Sequence, residues 1–307
     1  AALSCVLLKN EDDILPLKAG EKIAVVGLMA AKPRYQGAGS SLINPTRVDN
    51  ALDELIACGL DVTFVEGYNP DGSTNSRLIT DAREAAENAD KVICFIGLPD
   101  SAESEGFDRS DMQLPEGMLK LVDSLLMTNK NTVVTLSLGA PVELPFAPRV
   151  KALLLGYLGG QAGGSGMADV LTGRVTPGGK LAESWPKKLA DTPCFKYFAP
   201  NRRSVEYREG LYVGYRYYQA AALEPAFCFG EGLSYTRFRI GSCSVDTAKI
   251  DDEVNFSCII ENIGGCSGSE TVQLYSGYSS LGYRQLVGFE RVYLQPGERR
   301  AVTITLK

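Results

Sequence analysis

Three acids and an arginine fall within seven residues, Glu103-Ser-Glu-Gly-Phe-Asp-Arg109. They directly follow the apolar run Lys91-Val-Ile-Cys-Phe-Ile-Gly-Leu98. Charge placed just past the C-terminal end of a buried strand is where open α/β sheets keep their ligand sites. The chain has no histidine. Proton-transfer chemistry therefore falls to carboxylate, Lys, Tyr or Cys side chains. Glu103, Glu105 and Asp108 are the candidates. By pattern alone the stretch reads equally well as a solvated charged loop.

Two glycine-rich stretches are weaker. Arg34-Tyr-Gln-Gly-Ala-Gly-Ser-Ser41 is not a dinucleotide fingerprint: its third glycine is missing, and Gly37 lies ten residues beyond Gly27, the end of the nearest strand. Such a loop can bring backbone and hydroxyl groups close to a polar ligand, and it reads equally as a surface turn. Gly159-Gly-Gln-Ala-Gly-Gly164 precedes a helix but lacks the Lys-Ser/Thr of a phosphate cradle. Tight packing at a strand-to-helix turn is its better reading. The eight cysteines form no CxxC pair and have no histidine to complete a zinc set, so no metal site is expected. They read as buried reduced thiols of a cytosolic protein.

The elements that must position these residues change along the chain. From Lys22 to about Pro186, apolar runs alternate with helical periods. Strands are expected at 22–27, 61–65, 91–97, 132–137 and 152–156. Helices are expected at 47–58, 78–89, 115–128 and 166–173. This is an α/β pattern, a mainly parallel sheet sandwiched by helices. The first eight residues read as the interior of a helix, so a preceding segment stays open. From Pro186 to Tyr235 neither period persists, yet Tyr215, Tyr217, Tyr218, Phe227 and Phe229 are too apolar for a disordered linker. From Arg237 onward the pattern is all-β, with strands expected at 239–245, 253–262, 270–275 and 301–306. Gly264-Gly265 and Pro296-Gly297 mark turns. Five or six strands fit, against about seven for a complete immunoglobulin-like sandwich, so its last strands are expected beyond residue 307. The expected division is 1–190, 191–236 as an ordered connector, and 237–307.

Composition is that of an ordinary globular protein, 45% hydrophobic and 22% charged. A net charge of −6 argues against nucleic acid and anionic membrane as partners. No apolar run approaches the length of a membrane span.

Taken together, several motifs resemble glycoside hydrolase family 3, most of all its β-glucosidases. They are Val6-Leu-Leu-Lys-Asn-Glu11 with Ile14-Leu-Pro-Leu17, Gln36-Gly-Ala-Gly-Ser-Ser41, Glu105-Gly-Phe-Asp-Arg109, Gly139-Ala-Pro-Val142, Glu209 to Tyr218, Phe229-Gly-Glu-Gly-Leu-Ser-Tyr-Thr236 and Gly288-Phe-Glu-Arg-Val292. The resemblance implies a retaining β-glycosidase whose nucleophile is an Asp in a (β/α)8 barrel. The acid/base is a Glu in an α/β-sandwich domain, which a fibronectin-III-like domain often follows. This chain matches the second and third parts only. The Gln36 loop resembles the branch in which the sandwich precedes the barrel, which would put the barrel after Lys307 or in a companion chain.

The resemblance carries the acid/base to Glu105, with Glu103 the runner-up. It puts Arg34, Gln36 and Ser40 at the outer sugar subsite, and Asp108 and Arg109 as supports that fix the loop. It implies no metal or organic cofactor. The expected substrate is a terminal β-D-glucoside or oligosaccharide. Alternatives are β-xylosidase or another β-glycosidase activity, and a non-catalytic carbohydrate-binding fragment. The expected setting is the cytoplasm of a bacterium, and a homo-oligomer stays open.

Overall fold

The computed structural model describes residues 1–40, 42–198, 203–246 and 253–306. Ser41 of the glycine-serine loop lies outside the described residues. The chain divides into two compact units. The first comprises Ala1–Val175 with Pro186–Leu189, and the second Thr176–Trp185 with Ala190–Lys307. The segment 176–185, expected with the first region, thus clusters with the second.

The first unit is built on a six-stranded sheet. Its strands are β1 (Val6–Asn10), β2 (Lys22–Val26), β3 (Asp61–Val65), β4 (Lys91–Gly97), β5 (Thr132–Ser137) and β6 (Ala152–Leu155). The spatial order is β1-β6-β5-β4-β2-β3. All neighbours are parallel except β1, which runs antiparallel to β6. Every residue of β4 and of β5 is buried, so both faces of the sheet are covered. The covering helices are α1 (Ala51–Ala57), α2 (Ser76–Glu87), α3 (Glu116–Thr128) and α4 (Gly163–Leu171). Helix α1 packs on α4, and α2 on α3. The parallel sheet and its helices agree with the pattern in the sequence.

Two expectations are corrected here. The first eight residues are not helical: a 3-10 turn at Ala2–Ser4 leads into β1. Val6, Leu7 and Leu8 are buried by pairing with Ala152–Leu155. That long-range partner overrides a local pattern which short apolar runs leave ambiguous. The first helix is also shorter than its pattern: Asn50 accepts a hydrogen bond from the Asp53 N–H at 2.8 Å and starts α1 there.

The second unit carries α5 (Tyr215–Ala220) and five strands among the described residues. These are β7 (Phe238–Asp246), β8 (Val254–Asn262), β9 (Gly268–Tyr278), β10 (Tyr283–Leu294) and β11 (Arg299–Leu306). They form antiparallel sheets in the orders β11-β8-β7 and β10-β9. Cys258, Ile260, Val272, Val292, Leu294, Val302 and Ile304 make the core. Strand β10 was absent from the sequence expectations. Its register shifts between Leu286 and Gly288, and a bulge breaks the alternation by which a strand is recognised. In the aromatic-rich segment, Trp185 is fully buried and pairs with Phe227, while Tyr215 stacks on Phe229 at 4.6 Å.

Candidate functional site

Chain order and sheet order part company at β2. The chain runs from β2 to the edge strand β3 and then returns to β4 on the other side of β2. Connections leaving β2 and β4 therefore diverge, and ligand crevices of open α/β sheets form at such switch points, outside the carboxyl ends of the strands. Two loops meet there: residues 34–40, reached from β2 through a 3-10 turn at Leu28–Ala30, and residues 98–109 after β4. Ala38 pairs with Ser104 as an isolated parallel bridge.

Glu105 is exposed at the tip of the second loop. Its Oε2 accepts from the Ser40 N–H at 2.7 Å and from the Ser40 hydroxyl. These two donors, the hydroxyl first, hold the Glu105 carboxyl below the usual carboxylate range. Gly39 lets the loops approach: its φ is +94, and a Cβ there would stand 2.5 Å from Cβ of Glu105. Only glycine takes both the conformation and the contact.

Glu103, two residues earlier, has a different environment. Its Oε2 accepts from Arg34 Nη1 and, at 3.0 Å, from the Gly139 N–H. Arg34 is buried. Its Nε reaches Asp100 Oδ1 at 3.0 Å, Nη1 also reaches the Leu98 carbonyl at 3.2 Å, and Nη2 reaches the Glu103 carbonyl at 2.9 Å. Gln36 closes its own loop, accepting from the Ile43 N–H at 3.2 Å and donating to the Ile43 carbonyl at 3.1 Å. Asp108 is exposed. Arg109 donates through Nη1 to the Pro141 carbonyl at 3.2 Å, while its buried Nη2 has no partner.

The structure thus gathers Arg34, Gln36, Ser40, Glu103, Glu105 and Arg109 on adjacent loops. It turns Arg34 and Gln36 inward onto protein acceptors, with Ser40 and Glu105 facing solvent. Sequence reasoning passed over Gly139 as a site residue. Its Cβ would meet Glu103 Oε1 at 2.9 Å, a constraint that no local pattern encodes. Between the loops and α4 the space is nearly filled: a cavity of about 20 Å³ lined by Arg34, Tyr35, Tyr157 and Met167 cannot hold a sugar ring. Glu105 does not line that cavity and is exposed at the open edge of the two loops. In the second unit, Tyr215, Tyr218, Gln219, Glu224, Phe229 and Tyr275 line a larger cavity of about 340 Å³. The sequence signalled these aromatics without the open cleft they line. Gly164 confirms a packing role for the second glycine stretch, since a Cβ there would lie 2.5 Å from the Asn50 backbone.

Residues 5–215 match the Glycosyl hydrolase family 3 C-terminal domain, and residues 270–307 match the Fibronectin type III-like domain. Thermostable beta-glucosidase B of Acetivibrio thermocellus is 46% identical over 316 residues, covering 100% of this chain and 42% of that protein. An exo-alpha-(1->6)-L-arabinopyranosidase of Bifidobacterium breve is 39% identical over 318 residues, covering 99% of this chain and 42% of that protein. The crystal structure of Bifidobacterium adolescentis GH3 beta-glucosidase superposes with a TM-score of 0.95 at 41% identity, covering all of this chain and 46% of that one. The chain spans less than half the length of these relatives.

Proposed function

The chain belongs to glycosyl hydrolase family 3, and from that membership we propose that it supplies the general acid/base, Glu105, for retaining hydrolysis of terminal β-D-glucosyl residues. The nucleophile is an Asp of a (β/α)8 barrel domain outside residues 1–307, in the same precursor or a companion chain. The observation that carries this reading is an exposed carboxylate held by Ser40 at the open edge of the switch point. An open edge with no room behind it needs a second wall.

In the first step Glu105 gives its proton to the glycosidic oxygen while the Asp attacks the anomeric carbon, and the aglycone leaves as an alcohol. In the second step the Glu105 carboxylate takes a proton from water. The water oxygen bonds to the anomeric carbon and the Asp is released. The two carboxyls of a retaining enzyme stand roughly 5–5.5 Å apart. With only Ser40 beside it, Glu105 is ionised at neutral pH. Proton donation requires a neighbouring carboxylate and loss of water, both of which raise a carboxyl's pKa. The docked barrel brings both. Ser40 faces the same opening and is the member of the expected sugar-binding trio whose hydroxyl a substrate reaches.

Support for glucose comes from the 46% identical beta-glucosidase. The 39% identical arabinopyranosidase supports a second reading in which the mechanism is kept and the pyranoside changes. We also assign the protein to a reducing compartment, supported by its eight free thiols. The test of the catalytic role is Glu105→Gln in the enzyme that combines this chain with its barrel domain. Turnover of glucosides with poor leaving groups is expected to fall about 10²–10⁴-fold, the usual worth of a general acid. Activated aryl glucosides should fall far less. In Glu105→Ala, azide, which needs no general base, should restore part of the turnover. Equal loss on both substrate types without azide rescue removes Glu105 from the role and favours a non-catalytic carbohydrate-binding part.

A further inference from the structure

We propose that Glu103 and Arg34 form the positioning pair that sets where Glu105 stands, a role that rests on the reading of Glu105 as the acid/base. In sequence the two glutamates are equivalent acids on one loop. In the fold they are opposites. Glu103 is largely buried and shared between two neighbouring loops, whereas Glu105 is exposed with Ser40 as its side-chain partner.

The geometry explains how the pair acts. The side chains of Arg34 and Glu103 are 5% and 18% exposed. Desolvating such a pair costs more than its attraction returns unless the remaining donors and acceptors are satisfied. Here they are. The guanidinium engages the Leu98 carbonyl, the Asp100 carboxylate, and both the carbonyl and carboxylate of Glu103. It thereby draws residues 98–103 around one planar fork, a geometry that lysine cannot reproduce. The second bond of Glu103, from the Gly139 N–H, ties the same residues to the loop after β5.

The segment is thus fixed on both sides, to the connections leaving β2 and β5, the sheet neighbours of β4. One residue, Ser104, separates this anchor from Glu105, and Ser104 is itself paired with Ala38. Arg109 holds the far end of the loop on Pro141. An exposed carboxylate gains a defined position from such an anchor, and a displacement of about 1 Å can cost ~10²-fold in rate.

The experiment uses the enzyme that combines this chain with its barrel domain. Glu103→Gln keeps an acceptor for Arg34 and Gly139, Glu103→Ala removes it, and Arg34→Lys keeps the charge without the fork. On glucosides with poor leaving groups, kcat should fall roughly 10-fold for Glu103→Gln and roughly 100-fold for the other two, with KM nearly unchanged. Activated aryl glucosides should be little affected. Azide should not restore turnover, because the Glu105 carboxylate, though displaced, is still present and repels the anion.

A purely structural role would instead lower the folded fraction and reduce both substrate classes in proportion. That result, or unchanged kinetics in Glu103→Gln and Arg34→Lys together, overturns the proposal. If Glu103→Ala does not fold, those two conservative variants decide the matter. Azide rescue of Glu103→Ala would make Glu103 itself the acid/base and overturn both readings. Loss of leaving-group dependence in Glu105→Ala alone defeats the acid/base assignment and leaves the pair a loop anchor.

Discussion

The two units use their strands in opposite ways. In the α/β unit, β4 and β5 are buried along their whole length. In the β unit, β7 leaves Ile240 and Val245 about half exposed, and among the described residues a cluster around Ile260 and Leu294 is buried between its strands. A doubly covered sheet has no free face. Polar chemistry can enter it only at strand ends, where neighbouring loops can hold one another by side-chain bonds. A sheet with one solvated face has room for polar groups along its strands and less demand for organised loop ends. Arg34, Glu103, Glu105 and Ser40 accordingly converge on one rim of the first unit, while ion pairs of the second unit, such as Arg239 with Glu261, lie along its strands.

The largest effect that tests this contrast is in the cores. Phe95→Ala in β4 should cost about 3–5 kcal/mol in urea unfolding, the usual range for a fully buried aromatic. Ile240→Ala in β7 should stay within about 0.5 kcal/mol, as for surface sites. Similar losses at the two positions would break the distinction between the units.

Thiol chemistry sharpens it. Burial pushes the Cys94 thiol up to about 12 and the Cys5 thiol up to about 11. At pH 8 both should resist a thiol reagent until the chain unfolds, since the thiolate is the reactive form. Cys243 of the second unit is exposed and should be modified first, as mass spectrometry of a labelling time course would show. Early modification of Cys94 would mean that β4 is not sealed.

The smallest effect lies at the rim. Ser40→Ala removes the main cause of the depressed Glu105 carboxyl, so its pKa in the isolated chain should rise toward the ordinary 4.5. NMR titration of the side-chain carboxyl measures it. A carboxyl depressed by folding stabilises at pH above its unfolded value, and that contribution is lost as pH falls through the folded one. Wild type and Ser40→Ala should therefore converge in stability under acid, below the ordinary carboxylate range. An unchanged titration would mean that Ser40 does not hold Glu105 in solution.

Much of the first unit was legible because its signals are local. The strands 61–65, 91–97 and 132–137 have the expected bounds, since apolar runs flanked by glycine, aspartate or asparagine announce parallel strands. What escaped is what depends on distant partners. Strand β1 needs β6, and β10 hides its alternation behind a bulge. The position of α5 was lost among aromatics of mixed period.

The sequence by itself determined the α/β-then-β order, the loop that carries the acids, and the chemistry open to a chain without histidine. These follow from periodicity and residue type, which are local properties. It also singled out Glu105 by family resemblance. Only the tertiary structure decided which groups Arg34 and Glu103 bond. Position 34 lies 69 residues from 103, and their union depends on sheet order, which brings the loops after β2, β4 and β5 side by side. A charge is read from sequence, but whether it faces substrate or clamps a backbone is set by which strands are neighbours.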